Sequence, residues 1–269
     1  MTLYVTDLDG TLLRSDTSIS EYSINTLNAL TEHGVMFTYA TARSFASASP
    51  LVSKLRLSCP AVIFNGVFII DPKTGKHLIE NVYTSECQRL AKELFIDENI
   101  APLVYSYIDG GEKVSYLENR LDDVKSYIDM RRGDKRLRPV SGYKALFEGD
   151  IFYFTVIDPR DTVTLDKVFT AENGFSRNIQ KDTYDDTIWY EIYDKNASKA
   201  NAVKQLAELV NADELVCFGD NFNDISMIKA ADIGTAVENA VDELKSAADI
   251  IIESNNNDGV ARFIDSRER

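Results

Sequence analysis

The 269 residues carry 43 acidic side chains against 29 Lys and Arg, a formal charge of −14, and that field repels a nucleic-acid backbone or an anionic membrane face, so neither is an expected partner. A composition of 44% apolar and 27% charged residues excludes a mainly disordered chain, and the length accommodates one large domain or two moderate ones. Cys59, Cys87 and Cys217 are widely separated and free of C-x-x-C spacing, which argues against a disulfide framework or a zinc site. The chain opens on the apolar alternation Leu3-Tyr4-Val5 instead of a secretory signal, and no apolar run approaches the roughly 18 residues of a spanning helix. A cytoplasmic protein is expected.

In chain order, apolar runs at 3–6 and 35–40 predict short strands buried on both faces. Between them Ile24, Leu27 and Leu30 fall at helical spacing, with Ser20 placed to cap the helix and Gly34 to end it. Runs at 61–64 and 67–70 predict two further strands. The middle of the chain reads differently: 104–108, the turn Asp109-Gly110-Gly111 and 113–117 predict an antiparallel hairpin. A helix over 121–130, a strand at 151–157, a helix near 161–171 and strands at 175–179 and 187–192 are expected after it. Val203, Leu206 and Val210 then line a helix ahead of a strand at 215–218, and Val241 and Leu244 another ahead of 250–252. The expected fold class is α/β: a Rossmann-like, doubly wound parallel sheet built from 1–81 and 191–269, interrupted by an α+β insertion at 82–190.

Four polar clusters fall where these elements begin or end. Asp7-Leu8-Asp9-Gly10-Thr11-Leu12 closes the first strand with two carboxylates and a glycine turn, at the sheet edge where open α/β folds bind ligands. Two close carboxylates repel, and a divalent cation would relieve them; an ordinary Asp-Gly turn accounts for the segment equally well when it is taken alone. Ala40-Thr41-Ala42-Arg43 supplies a hydroxyl, backbone N–H groups at an expected helix start and a guanidinium, all suited to phosphate, although Thr41 alone reads better as a helix cap. Asn65-Gly66 follows the third strand, and Gly219-Asp220-Asn221-Phe222-Asn223-Asp224 follows what reads as the penultimate core strand. Oxygen ligands of this kind favour magnesium over zinc. Lys199 stands near a helix start, where the macrodipole disfavours it, so a bound phosphate or a carboxylate cluster is the expected compensation.

These residues resemble the haloacid dehalogenase superfamily of phosphatases, in its Cof-like, subfamily IIB branch with an inserted C2B-type cap. The resemblance spans the chain: Asp7 to Leu12 is similar to the first family motif, Thr41 to the second, Lys199 to the third, and Gly219-Asp220 with Asn223-Asp224 to the fourth. It implies a phosphoric monoester hydrolase in which Asp7 attacks phosphorus to form an aspartyl-phosphate that water hydrolyses, while Asp9 acts as acid and then base. Magnesium would be held by Asp7, the Asp9 backbone carbonyl and Asp220, with Asp224 as a further or outer carboxylate. Backbone N–H groups of Leu8 and Ala42, the Thr41 hydroxyl, the Lys199 ammonium and the Asn223 amide would surround the phosphoryl group, with Arg43 and Asn65 as additional contacts to phosphate or leaving group. Ala42 and Ala200 stand where relatives usually carry Gly.

The implied substrate is a small phosphorylated metabolite, a sugar phosphate first, with pyridoxal phosphate or a flavin nucleotide as runner-up. The insertion is expected to set specificity as lids do, and Tyr105, Tyr107, Tyr116, Tyr143 and Tyr153 could meet a ligand there, although packing the insertion's own core is the better account of most of them. A phosphotransferase or mutase would use the same intermediate, and a phospho-accepting receiver would share the Asp, Thr and Lys constellation. A receiver needs neither a second acid nor a lid. A nucleotide-binding module lacks its G-x-G-x-x-G here.

Overall fold

The computed structural model describes residues 1–159, 162–181 and 187–269. The chain divides into two compact units, Met1–Asn81 with Ala197–Arg269, and Val82–Asn196. The first begins with β1 (Thr2–Thr6), a helix at Glu21–Glu32, β2 (Met36–Tyr39), a helix at Phe45–Val52, and the short strands β3 (Ala61–Ile63), β4 (Phe68–Ile70) and β5 (His77–Glu80). The second holds a helix at Ser85–Asp97, β6 (Leu103–Ile108), β7 (Gly111–Leu117), β8 (Leu137–Val140), β9 (Asp150–Ile157), a helix at Thr162–Val168, β10 (Phe175–Lys181) and β11 (Ile188–Asp194). The chain then returns through a helix at Lys199–Leu209, β12 (Glu214–Gly219), a helix at Ile225–Ala230, β13 (Ile233–Val237), a helix at Asp242–Ala247, β14 (Ile250–Ile252) and a helix at Gly259–Glu268. No helix among the described residues is long and apolar enough to cross a membrane.

The first unit is organised by a parallel sheet in the order β14-β13-β12-β1-β2. Leu3, Tyr4 and Val5 are wholly buried in β1, as a central strand covered on both faces requires. The first helix starts where expected: the Ser20 hydroxyl accepts the Ser23 N–H at 3.0 Å, and Gly34 follows its last turn with φ +95°, the left-handed conformation glycine adopts without penalty. Ile250 and Ile251 differ from expectation: they are exposed, because β14 is the edge of the sheet and among the described residues pairs with β13 alone. The strand β13 was not anticipated, and with β14 it leaves two strands after β12, which is therefore not the penultimate strand of this sheet. The runs at 61–64 and 67–70 form β3 and β4 of a separate antiparallel sheet, β3-β4-β5, joined to the parallel sheet by a single bridge from Ala40 to Val62.

The second unit is a six-stranded sheet, β10-β11-β9-β6-β7-β8, antiparallel except where β7 runs alongside β8. Its hairpin β6–β7 turns on Asp109 and Gly110, both at positive φ (51° and 75°), so the turn has two residues, with Ile108 opposite Gly111, as the strand twist favours. Val104, Phe154, Tyr190 and Ile192 pack with Phe95 of the helix at Ser85–Asp97 and with Phe169, which directly follows the helix at Thr162–Val168, in one apolar core. β11 runs on to Asp194, which pairs with Phe175 of β10, so residues 191–194, expected in the parallel domain, complete this sheet. The helix expected over 121–130 is a 3₁₀ turn at Glu118–Val124 leading into an α-helix at Lys125–Met130, and of the helix expected near 161–171 residue 161 lies outside the described residues. Tyr105 and Tyr153 are buried; Tyr105 donates its hydroxyl to that of Tyr127 at 3.2 Å, and Tyr153 stacks on Tyr193. Tyr143 packs on Phe147, while Tyr107 and Tyr116 are half-buried.

Between β3 and β4 the chain reverses through Phe64, Asn65 and Gly66, all at positive φ. A Cβ on Gly66 would sit 2.5 Å from the Ser198 carbonyl oxygen, so only glycine lets this turn touch the start of the helix at Lys199–Leu209. Gly66→Ala is expected to destabilise the protein by about 2 kcal/mol or more. Urea unfolding of the variant at the parent midpoint would contradict this packing.

Candidate active site

Main-chain hydrogen bonding carries the sheet one residue beyond its strands and so fixes where side chains emerge. The Asp7 N–H donates to the Phe218 carbonyl at 2.9 Å, the Ala40 N–H to Thr6 at 2.9 Å and the Thr41 N–H to Val62 at 3.0 Å. Asp7, Thr41 and the Gly219-Asp220 corner therefore stand at one edge, beyond the carboxyl ends of adjacent strands.

Lys199 opens the helix at Lys199–Leu209, capped by Ser198, whose hydroxyl accepts the Asn201 N–H at 3.1 Å. Its ammonium bonds Asp7 Oδ1 at 2.5 Å and Asp224 Oδ1 at 2.6 Å, and all three residues are almost inaccessible: 2% exposed for Lys199, 6% for Asp7 and 0% for Asp224. The other Asp224 oxygen accepts the N–H groups of Asp220 at 3.1 Å and Asn221 at 3.2 Å. A Cβ on Gly219 would lie 2.5 Å from that of Asp224, so the corner closes this tightly only around glycine. Asp220 accepts the Thr11 hydroxyl at 2.9 Å and lies directly against the Cα of Gly10.

One ammonium cannot balance three carboxylates in a buried site. Burial, opposed by Lys199 and reinforced by Asp224, Asp220 and Asp9, pushes the Asp7 carboxyl well above its usual range. Burial and the Asp224 charge raise Asp220 to about 7 despite the Thr11 hydrogen bond and Lys199. Burial alone would discharge Lys199, yet Asp224 and Asp7 hold its pKa above that of a free lysine, so it stays charged. Among the described residues, Asp7, Asp220 and Asp224 each offer a carboxylate oxygen within 4.8 Å of the others. With all three ionised and Lys199 charged the group carries two net negative charges, and its donors are hard oxygens, a set that fits a divalent cation such as magnesium.

Asp9 lies apart from this cluster. Its carboxylate accepts from Arg43 Nε at 2.6 Å and Nη2 at 2.7 Å in a bidentate pair, with Asp9 about half exposed. Thr41 is buried and does not cap the helix that follows: its hydroxyl oxygen accepts the Arg43 N–H at 3.1 Å, and the cap is Ser44, which accepts from Ser47. The helix starts at Phe45, so the Ala42 N–H belongs to a turn ahead of the helix and not to its first residues. The Asn65 N–H donates to the Thr41 carbonyl at 3.0 Å and the Phe64 N–H to that of Arg43 at 3.0 Å, which ties the turn at Asn65 to the Thr41 loop. Leu8 is buried, its carbonyl receiving the N–H groups of Thr11, Leu12 and Leu13. Asn223 is half-buried in the turn Phe222–Asp224.

Residues 4–264 match the family model of the haloacid dehalogenase-like hydrolases. The chain belongs to this family. It is 26% identical to a 5-amino-6-(5-phospho-D-ribitylamino)uracil phosphatase of Bacillus subtilis over 97% of its own length and 96% of the relative's. It is also 26% identical to a pyridoxal phosphate phosphatase of Escherichia coli, over 96% and 95% of the two chains. In three dimensions it matches the structure of a haloacid dehalogenase subclass IIB sugar phosphatase with TM-score 0.76 over 100% and 99% of the chains, at 17% identity. As a haloacid dehalogenase-type enzyme of the Cof-like branch it is a phosphoric monoester hydrolase with the α/β core and cap of that fold, and the receiver and nucleotide-module readings are set aside.

Sequence reasoning missed three contributors to the edge. Thr11 lies inside the first motif but was given no role. Asn239 donates to the Gly10 carbonyl at 2.7 Å, and Asn255 to that of Leu13 at 2.9 Å; these follow β13 and β14, so the strand-end rule would have found Asn239 had β13 been recognised.

Because the fold raises the Asp220 pKa from its ordinary value of 3.8 to about 7, the stability tied to its protonated form is present in acid and lost as pH rises through that range. In a chelating buffer, Asp220→Asn is therefore expected to gain stability relative to the parent between about pH 5 and 8. Urea unfolding at both pH values measures it; a parent–variant difference independent of pH would mean that Asp220 ionises normally.

Proposed function

We propose that this phosphatase hydrolyses a small phosphorylated metabolite, a sugar phosphate foremost, through a covalent aspartyl-phosphate on Asp7 with magnesium as cofactor. The observation that carries the reading is the buried Lys199 ammonium shared between Asp7 and Asp224 beside Asp220, a surplus of carboxylate that matches one divalent cation. Asp7, Asp220 and the Asp9 backbone carbonyl would hold the ion, whose charge offsets the repulsion between nucleophile and phosphate. Asp224 has its oxygens bonded by Lys199 and by two backbone N–H groups, so it positions Lys199 and the Asp220 corner and serves the ion as a further or outer carboxylate.

Lys199 holds one oxygen of Asp7 and so orients the carboxylate toward phosphorus. An Asp7 oxygen forms the new P–O bond as the ester P–O bond breaks, and the departing alkoxide takes a proton from Asp9. Asp9 then removes a proton from water, whose oxygen attacks phosphorus, releasing phosphate and restoring Asp7. In the structure both Asp9 oxygens accept from Arg43, so this pair must open for Asp9 to carry a proton, and a substrate phosphate is a competing partner for the guanidinium. The N–H groups of Leu8 and Ala42, the Thr41 hydroxyl, Lys199 and the Asn223 amide are assigned to the phosphoryl oxygens, with Arg43 and Asn65 beside them. Ala200 is no obstacle, since it lies within the helix at Lys199–Leu209, where alanine is favoured over glycine.

The substrate class rests on the relatives, which act on a ribitylamino phosphate and on pyridoxal phosphate, and on the sugar phosphatase of like fold. Transfer to a second metabolite instead of water remains the alternative reaction of the same intermediate. Asp7→Asn, nearly isosteric, is expected to lower turnover by about 10⁴-fold or more while the protein stays folded, and chelation is expected to stop the parent until magnesium is restored. A turnover screen across phosphorylated metabolites in ¹⁸O-water checks both: label in the released phosphate supports hydrolysis. A folded Asp7→Asn enzyme with parental rates would refute the mechanism, and activity indifferent to chelation would refute the metal.

A further inference from the structure

One turn touches both acidic loops. The Asn239 side-chain amide donates to the Gly10 carbonyl at 2.7 Å, and two residues on the Val241 N–H donates to the Asp220 carbonyl at 2.9 Å. The turn is itself braced, because the Asn239 side-chain oxygen accepts the Asn255 N–H at 2.9 Å. Asn255 reaches back through its own amide to Leu13 at 2.9 Å, so two asparagines hold both ends of the Gly10–Leu13 turn. Behind them Asp258, in a left-handed conformation, accepts from Arg14, Ser20 and Ser23 and anchors the far side of the same loop. Gly10 in turn lies directly against the Asp220 carboxylate, so a displacement of this turn moves an Asp220 oxygen relative to Asp7.

We infer that Asn239 is a positioning residue that sets the spacing between the Asp7–Asp9 loop and Asp220, and through it the affinity of the site for a divalent cation. The inference rests on the metal reading given above. A purely structural role accounts less well for the contact: Asn239 is exposed, so truncating it opens no cavity in the core, and what it bonds is the carbonyl next to Asp9. Groups that orient metal ligands from outside the coordination shell commonly contribute 10- to 100-fold in affinity.

The test is calorimetric titration of the metal-free protein with magnesium, for the parent, Asn239→Ala and Asn239→Asp, together with the melting temperature of each in chelator. Asn239→Asp keeps the acceptor for the Asn255 N–H, loses the donor to Gly10 and adds a negative charge that by itself would favour a cation. Both variants are expected to bind magnesium about 10-fold more weakly or worse, with melting temperatures within about 2 °C of the parent. Parental affinity in either variant would overturn the inference, as would a fall in melting temperature that tracks the loss of affinity. A parent that takes up no magnesium would overturn the metal reading and the inference with it, whereas equal affinities in parent and variants would overturn the inference alone.

Discussion

The arrangement depends on one buried ammonium. Lys199 is shut away from water between Asp7 and Asp224, and a charge in that position is tolerated only while its partners remain charged and correctly placed. Removing either carboxylate leaves a lysine with half its compensation, and removing the lysine leaves adjacent anions with nothing between them. The elements around it follow from this demand: a helix that begins at Lys199, a parallel strand that ends at Asp7, and a corner at Gly219 tight enough to bring Asp224 under the ammonium. The third carboxylate, Asp220, is the one the lysine does not bond; burial and the neighbouring Asp224 charge raise its proton affinity, and a second cation is the natural complement.

Much of this edge was legible because strand ends are readable: a doubly buried apolar run that stops at a polar pair locates Asp7 and Asp220, and a lysine at a helix start is anomalous enough to be noticed. The elements that escaped did so for physical reasons. The segment 233–237 carries Gly234 and Thr235 among few large apolar residues, so no strand is named there; a Cβ on Gly234 would collide with the Ile228 carbonyl at 2.5 Å, so the glycine marks close packing of the preceding helix on the strand. β3 and β4 read as members of the parallel sheet because a three-residue buried strand has no period by which direction can be told. The helix at Ser85–Asp97 was not anticipated, although Cys87, Ala91 and Phe95 form its buried stripe.

Side-chain pairing across the fold was the least legible level. Asp9 and Arg43 are 34 positions apart, and nothing in either motif says that the guanidinium is turned toward the carboxylate. Thr41 illustrates the converse: a hydroxyl just ahead of a helix reads as a cap, but Ser44 takes that task and leaves Thr41 buried in a turn of its own. Local chemistry identified which residues were available, and only the three-dimensional arrangement assigned their partners.

The division of the chain has a consequence for how the protein comes to exist. β1 finds its neighbour β12 only at residue 214 and beyond, and Asp7 meets Lys199 across 192 positions, so the parallel sheet and its charged edge are assembled from the two ends of the polypeptide. The segment between is continuous and carries its own apolar core, and local pairing of that kind forms ahead of distant pairing. On the ribosome the inserted unit can therefore complete its sheet while β1, which has β2 on one side, still lacks β12 on the other. The acidic edge, with its repelling carboxylates, takes shape only once the last quarter of the chain has emerged.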